Sequence, residues 1–159
     1  MTKTEFRELL RSGRAAWEAL LAEVGEARMT QPGLAGAWSV KDIIAHVTWF
    51  EREMVGMLRA KALVGSEWWG LPQDERNAAV FEQNRGRALA DVLSEARAVH
   101  QELVEAVEAL SDDDLNDPRR FAGMPADWIP WEILEGNSFG HYPDHMSAIR
   151  AWLQGKDQM

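Results

Sequence analysis

Four histidines stand in the sequence, at positions 46, 100, 141 and 145. His141 and His145 are four residues apart, a spacing that stacks two side chains one above the other on a single helix face. The apolar pattern around them turns that face inward. Two imidazoles in a core need partners to offset lost hydration, and both can share one divalent cation. His46 is the natural third ligand, one turn after Ile43 and one turn before Phe50, at the edge of another apolar face. Three imidazoles leave at least one coordination position open, as catalytic metal sites do. They suit Zn, Ni, Cu or Fe without choosing among them. The alternative is a pair that is exposed, or satisfied within the core.

Pro143 falls between the two paired histidines. In mid-helix it removes the N–H directed at the Phe139 carbonyl, at about 3 kcal/mol, and kinks the helix. Either the helix keeps this defect and shapes a site with it, or Gly140 and Pro143 mark a break. A break would make His141 a loop residue and loosen the pair.

Other groups are weighed against ordinary surface roles. Glu53, two turns beyond His46, is a candidate general base near a metal-bound water, with an ion-paired or exposed carboxylate as the commoner outcome. Asn137, one turn before His141, is a candidate to orient that ring. Asp144 points about 100° away from His145 around the helix and reads as a surface charge. His100 borders a different apolar stripe and is the histidine left over. Arg85 and Arg87, around Gly86, are suited to holding a carboxylate, although a solvated turn is the simpler reading.

Helices must position these groups. Phe6, Leu9, Leu10, Gly13, Trp17, Leu20, Leu21 and Val24 recur at three- and four-residue steps, which predicts a helix over 3 to 26. Ser39 and Asp42 have the spacing of a capping box, so a second helix starts there and is expected to run to Val64-Gly65. Within it Trp49 lies off the main apolar stripe, as an exposed residue through which two copies could pair. A short helix over 74 to 84 and a long one over 88 to 110 follow. The last helix is expected from Ile129-Pro130-Trp131, with a stripe through Leu134, Ser138, His141, His145, Ile149 and Trp152. No segment alternates with the two-residue period of a strand. The expectation is an all-α, four-helix bundle with a short extra helix and long loops, as one domain over 1 to 159.

Composition narrows the function. The net charge is −9 with no basic run, so neither nucleic acid nor an anionic membrane is expected as a partner. There are no cysteines, which excludes disulfides, thiolate metal sites and cysteine nucleophiles. The charged N-terminus reads as a helix start and not a signal peptide, so a cytoplasmic location is expected. Eight tryptophans against one tyrosine read first as core packing, and otherwise as the wall of a pocket.

Trp38-Ser39-Val40-Lys41-Asp42-Ile43-Ile44-Ala45-His46-Val47 resembles the second-helix signature of the DinB-like superfamily, and His141-Tyr142-Pro143-Asp144-His145 its H-x-x-x-H motif. The stretch from Asn77 to Leu93 and the closing Ile149-Arg150-Ala151-Trp152-Leu153 resemble the DfsB/ClbS-type branch. The resemblance implies an up-up-down-down bundle with His46, His141 and His145 meeting at one end of a cavity around Zn or Ni. It implies a metal-dependent hydrolase or a transferase using a low-molecular-weight thiol, acting on a small electrophilic molecule. The other implied role is a non-catalytic binding or sequestering protein of the self-resistance type, with a tryptophan-lined cavity.

Overall fold

Capping boxes set where helices begin. Thr2 and Glu5 bond reciprocally across the first turn of α1 (Lys3–Val24), Ser39 and Asp42 across that of α3 (Val40–Ala60), and Ser111 and Asp114 across that of α6 (Asp112–Asn116). The computed structural model describes residues 1–157. The remaining elements are α2 (Glu26–Met29), a 3₁₀ turn at Glu67–Gly70, α4 (Gln73–Asn84), α5 (Leu89–Glu108), a 3₁₀ turn at Pro118–Arg120, α7 (Pro130–Gly136) and α8 (Tyr142–Asp157). The four long helices α1, α3, α5 and α8 form the all-α bundle; α4 is the short extra helix. No strand forms among the described residues, only isolated bridges. No helix among them is long and apolar enough to cross a membrane.

The bundle is organised around α3, which buries 17 of its 21 residues. It packs on α5 most extensively, then on α4, and touches α8 and α2. A helix enclosed on all sides need not show a single apolar stripe, and this changes the reading of Trp49. Trp49 is only 5% exposed and packs with Phe50 and Val80 beneath Trp68 and Trp69; it offers no surface for pairing two copies. The helix also stops earlier than expected. Lys61 turns into the left-handed region (φ 50°), and the chain then pairs with the 121–123 loop, Leu63 N–H donating to the Ala122 carbonyl at 2.8 Å.

The expected continuous last helix is two helices. α7 ends at Gly136, five residues of turn follow, and α8 starts at Tyr142. Pro143 is thereby a first-turn residue of α8, where its missing N–H costs nothing. Phe139 in the break packs so closely on α1 that a Cβ at Gly13 would stand 2.7 Å from the Phe139 Cβ. Leu9, expected on the buried face of α1, is 42% exposed.

Candidate metal centre

His46 comes from the second turn of α3, His141 from the last residue before α8, and His145 from the first turn of α8. The break therefore does not separate the pair: Nε2 of His145 and Nε2 of His141 are 3.0 Å apart, and Nε2 of His46 is 3.4 Å from that of His141. One nitrogen from each ring lies within 4.8 Å of the others. His46 is 4% exposed, while His141 and His145 are half-buried.

Packing orients these rings more than hydrogen bonds do. The His46 ring meets Trp38 edge to face at 5.6 Å and Phe50 at 4.9 Å, and Phe50 also meets His141 at 4.8 Å. Among the described residues no atom partners Nδ1 of His46 or of His141. Burial, reinforced by the neighbouring imidazoles and the Arg76 guanidinium, pushes His46 down to about 3. Burial and His145 push His141 down to about 4, against the pull of Asp144 and Glu51. Burial also lowers His145. Near pH 7 all three are neutral, the form in which an imidazole donates to a metal.

The other residues singled out in the sequence are placed elsewhere. Glu53 accepts the Ser66 N–H at 2.8 Å and anchors the loop after α3. Asn137 donates Nδ2–H to the Ile133 carbonyl, not to His141. Asp144 is exposed in the first turn of α8, where a negative charge complements the helix dipole. Arg85 pairs with Glu82, and Arg87 with Glu95 and Asn84. Lys41 Nζ binds the carbonyls of both Arg85 and Arg87, so this turn is structural.

Sequence reasoning missed a buried polar cluster. Glu51, wholly buried on α3, accepts a short hydrogen bond from the Tyr142 hydroxyl. Its other oxygen is 3.6 Å from Nη1 of Arg14, and His100 Nδ1 is 3.7 Å from the first. Arg14 also donates to Glu18 at 2.8 Å, and Trp17 stacks on Tyr142 with centroids 5.3 Å apart. Burial and the Glu51 charge hold Tyr142 firmly protonated. The cluster fixes the residue next to His141 against α1, α3 and α5. Its signal was present: Arg14 and Glu51 each stand where the apolar spacing calls for a hydrophobe. Arg14 and His100 line a groove of about 640 Å³ between α1 and α5, which includes none of the three clustered histidines.

Fold and site together define an all-α bundle protein with three histidines converging inside it. The chain belongs to the DinB superfamily, whose family model matches residues 9–146. Solved structures share the fold over nearly their whole lengths. An uncharacterised protein from Escherichia coli UTI89 is 16% identical, with 98% of this chain and 95% of that one covered and a TM-score of 0.76. A sibling lethal factor precursor, DfsB, is 12% identical, with 98% and 97% covered and a TM-score of 0.78. The colibactin self-resistance protein ClbS, solved in complex with double-stranded DNA, is 15% identical, with 96% of each chain covered and a TM-score of 0.76. No curated protein matches the sequence.

Proposed function

We propose that His46, His141 and His145 hold one divalent ion, zinc or nickel, and that the chain is a single-domain, cytoplasmic metal-dependent enzyme acting on a small electrophilic molecule. The observation that carries this reading is the convergence of the three Nε2 atoms. Donors about 2.0–2.1 Å from a tetrahedral ion lie roughly 3.3 Å from one another. The separations of 3.4 and 3.0 Å fall on either side of that value, and burial keeps the rings neutral. Bound there, the ion would supply Lewis acidity and an open position for water, thiol or substrate. The chain's own residues do the rest. Trp38 and Phe50 hold the His46 ring in place and keep water from its face, and the Glu51–Tyr142 bond fixes the start of α8. Hydrolysis and transfer of a low-molecular-weight thiol are the two reactions that fit.

A sequestering role is the second reading. It is favoured by the aromatic surroundings of the site, where Trp38 stacks on Phe81 and Trp69 on Trp49, and by the fold shared with a self-resistance protein. On either reading the partner is a small molecule; the net charge of −9 opposes a phosphate backbone, although the structurally similar ClbS was solved with double-stranded DNA.

Elemental analysis of protein purified without a histidine tag tests the first reading. About one equivalent of zinc or nickel is expected, lost in His46→Ala with helicity retained by circular dichroism. Protein that carries no stoichiometric metal, and takes up none on dialysis against zinc, overturns it. Turnover of 1-chloro-2,4-dinitrobenzene, with and without added thiol, separates enzyme from sequestering protein.

A further inference from the structure

In the turn around Gly86 both arginines are paired with acids, yet a different arginine stands beside the histidine cluster without one among the described residues. Arg76, on α4, is half-buried. Its guanidinium carbon lies 5.3 Å from the centre of the Trp69 ring and 5.6 Å from that of Phe50. Nη1 donates to the Trp69 carbonyl at 3.1 Å, which fixes the plane of the group. Nε is buried with no hydrogen-bond partner. Among the described residues no carboxylate pairs with Arg76, whereas Arg85 and Arg87 nearby each have one.

We infer that Arg76 receives a carboxylate of the small molecule whose reactive part sits at the three histidines, and so sets the substrate class of the site. The inference rests on the proposed reading of the histidine cluster as a small-molecule site. With Nη1 committed to Trp69, the Nε–Nη2 edge remains, and this edge meets a planar carboxylate through two parallel N–H···O bonds. The aromatic rings hold the guanidinium flat, so little side-chain freedom is lost when a ligand arrives. Phe50 is shared between Arg76 and the cluster: its ring centre is 5.6 Å from the guanidinium carbon and 4.9 and 4.8 Å from the ring centres of His46 and His141. A carboxylate on Arg76 and a reacting group at the imidazoles are thus one aromatic ring apart, within the reach of one small molecule. In a chain of net charge −9, a cation without an internal acid is also a local attractor for an anion.

The test uses benzoate and its neutral counterpart benzyl alcohol, titrated into chelated and zinc-loaded protein and read by tryptophan fluorescence. Wild type is expected to bind benzoate at least about tenfold more tightly than benzyl alcohol, as a charge-assisted bidentate contact requires. Arg76→Met should abolish that preference while leaving benzyl alcohol affinity and zinc content unchanged. Arg76→Lys, which keeps the charge but not the fork, should restore only part of it. No preference in wild type, or an undiminished one in Arg76→Met, overturns the inference. Should Arg76→Met misfold by circular dichroism, Arg76→Lys decides: full wild-type preference there refutes the bidentate contact. Protein that takes up no zinc yet binds benzoate through Arg76 sinks the metal reading and leaves this one standing. Zinc uptake without benzoate preference does the reverse.

Discussion

Glu51→Leu is expected to be the most damaging single substitution in the molecule. The Glu51 side chain is fully buried, and the guanidinium it faces belongs to Arg14, itself only 8% exposed. At the 3.6 Å between Nη1 and Oε2, an effective dielectric near 20 gives an attraction of roughly 5 kcal/mol. Desolvation of both charges consumes much of this in the intact pair, so the pair need not stabilise the fold on balance. Its rupture is different. Without Glu51, Arg14 keeps a buried charge offset only by the exposed Glu18, and Tyr142 loses its acceptor, a loss of about 3 kcal/mol, the lower end for a broken buried pair. Tyr142→Phe removes only a hydrogen bond to a charged group, about 1.5–3 kcal/mol. Arg14→Met combined with Glu51→Leu removes both charges and should be no less stable than Glu51→Leu alone. Urea unfolding at pH 7.5 measures this through the midpoint at a shared slope, and the double-mutant cycle isolates the coupling. Strictly additive losses would refute the reasoning, because independent residues share no charge to strand.

Two further outcomes follow from the same packing. Gly13→Ala should destabilise by about 1–3 kcal/mol in the same assay, because the new methyl meets Phe139 at 2.7 Å and one of the two must shift; no loss would mean the break before α8 yields freely. Acid should weaken the chelated protein well before its carboxylates titrate. Unfolded histidines titrate near 6.5, whereas His46 and His141 do so at about 3 and about 4 in the fold. Stability is therefore full above about 6.5. As pH falls it drops by about 1.4 kcal/mol per unit for each histidine still neutral in the fold. His46→Gln should make that dependence shallower between pH 6.5 and 5, and an unchanged slope would count against burial as its cause.

The histidine cluster was legible because position on an apolar face and a four-residue interval are both properties of the sequence, and the interval keeps its meaning although His141 stands just ahead of α8. His46, His141 and His145 all carry that signal, as do the capping residues Ser39 and Asp42. What stayed hidden depends on partners distant in the chain. Trp49 appeared to lie off the buried stripe of α3 because a stripe assumes one wet face, and α4 covers the face that would have been wet. Glu51 and Arg14 were each only a charge interrupting a pattern. Nothing local says that a residue on α1 and one on α3 meet at Tyr142. Arg76 is not legible in the sequence, because what sets it apart is the lack of an acid beside it among the described residues, and that can be seen only in three dimensions.

The break before α8 brings these levels together. A continuous helix through Pro143 would have carried a defect of about 3 kcal/mol beside the site. With α8 starting at Tyr142, the proline is in the first turn and the defect disappears. His141 is left just ahead of the helix and His145 just inside it, still with their Nε2 atoms 3.0 Å apart. The N-terminal end of a helix carries partial positive charge, which disfavours a protonated imidazole there and adds to the effect of burial. Tyr142, the first residue of α8, is in turn tied to Glu51 on the same helix that carries His46. The buried bond and the histidine cluster are therefore two contacts across one helix pair, and loosening the first should misplace His141 relative to His46. Tyr142→Phe, which removes the hydroxyl that bonds Glu51 and keeps the ring stacked on Trp17, separates that positioning effect from gross unfolding. Its zinc affinity should fall about 10- to 100-fold, the usual consequence of disturbing groups that orient a ligand, in protein that remains helical. Wild-type zinc affinity in this variant would mean that aromatic packing alone holds the imidazoles in place.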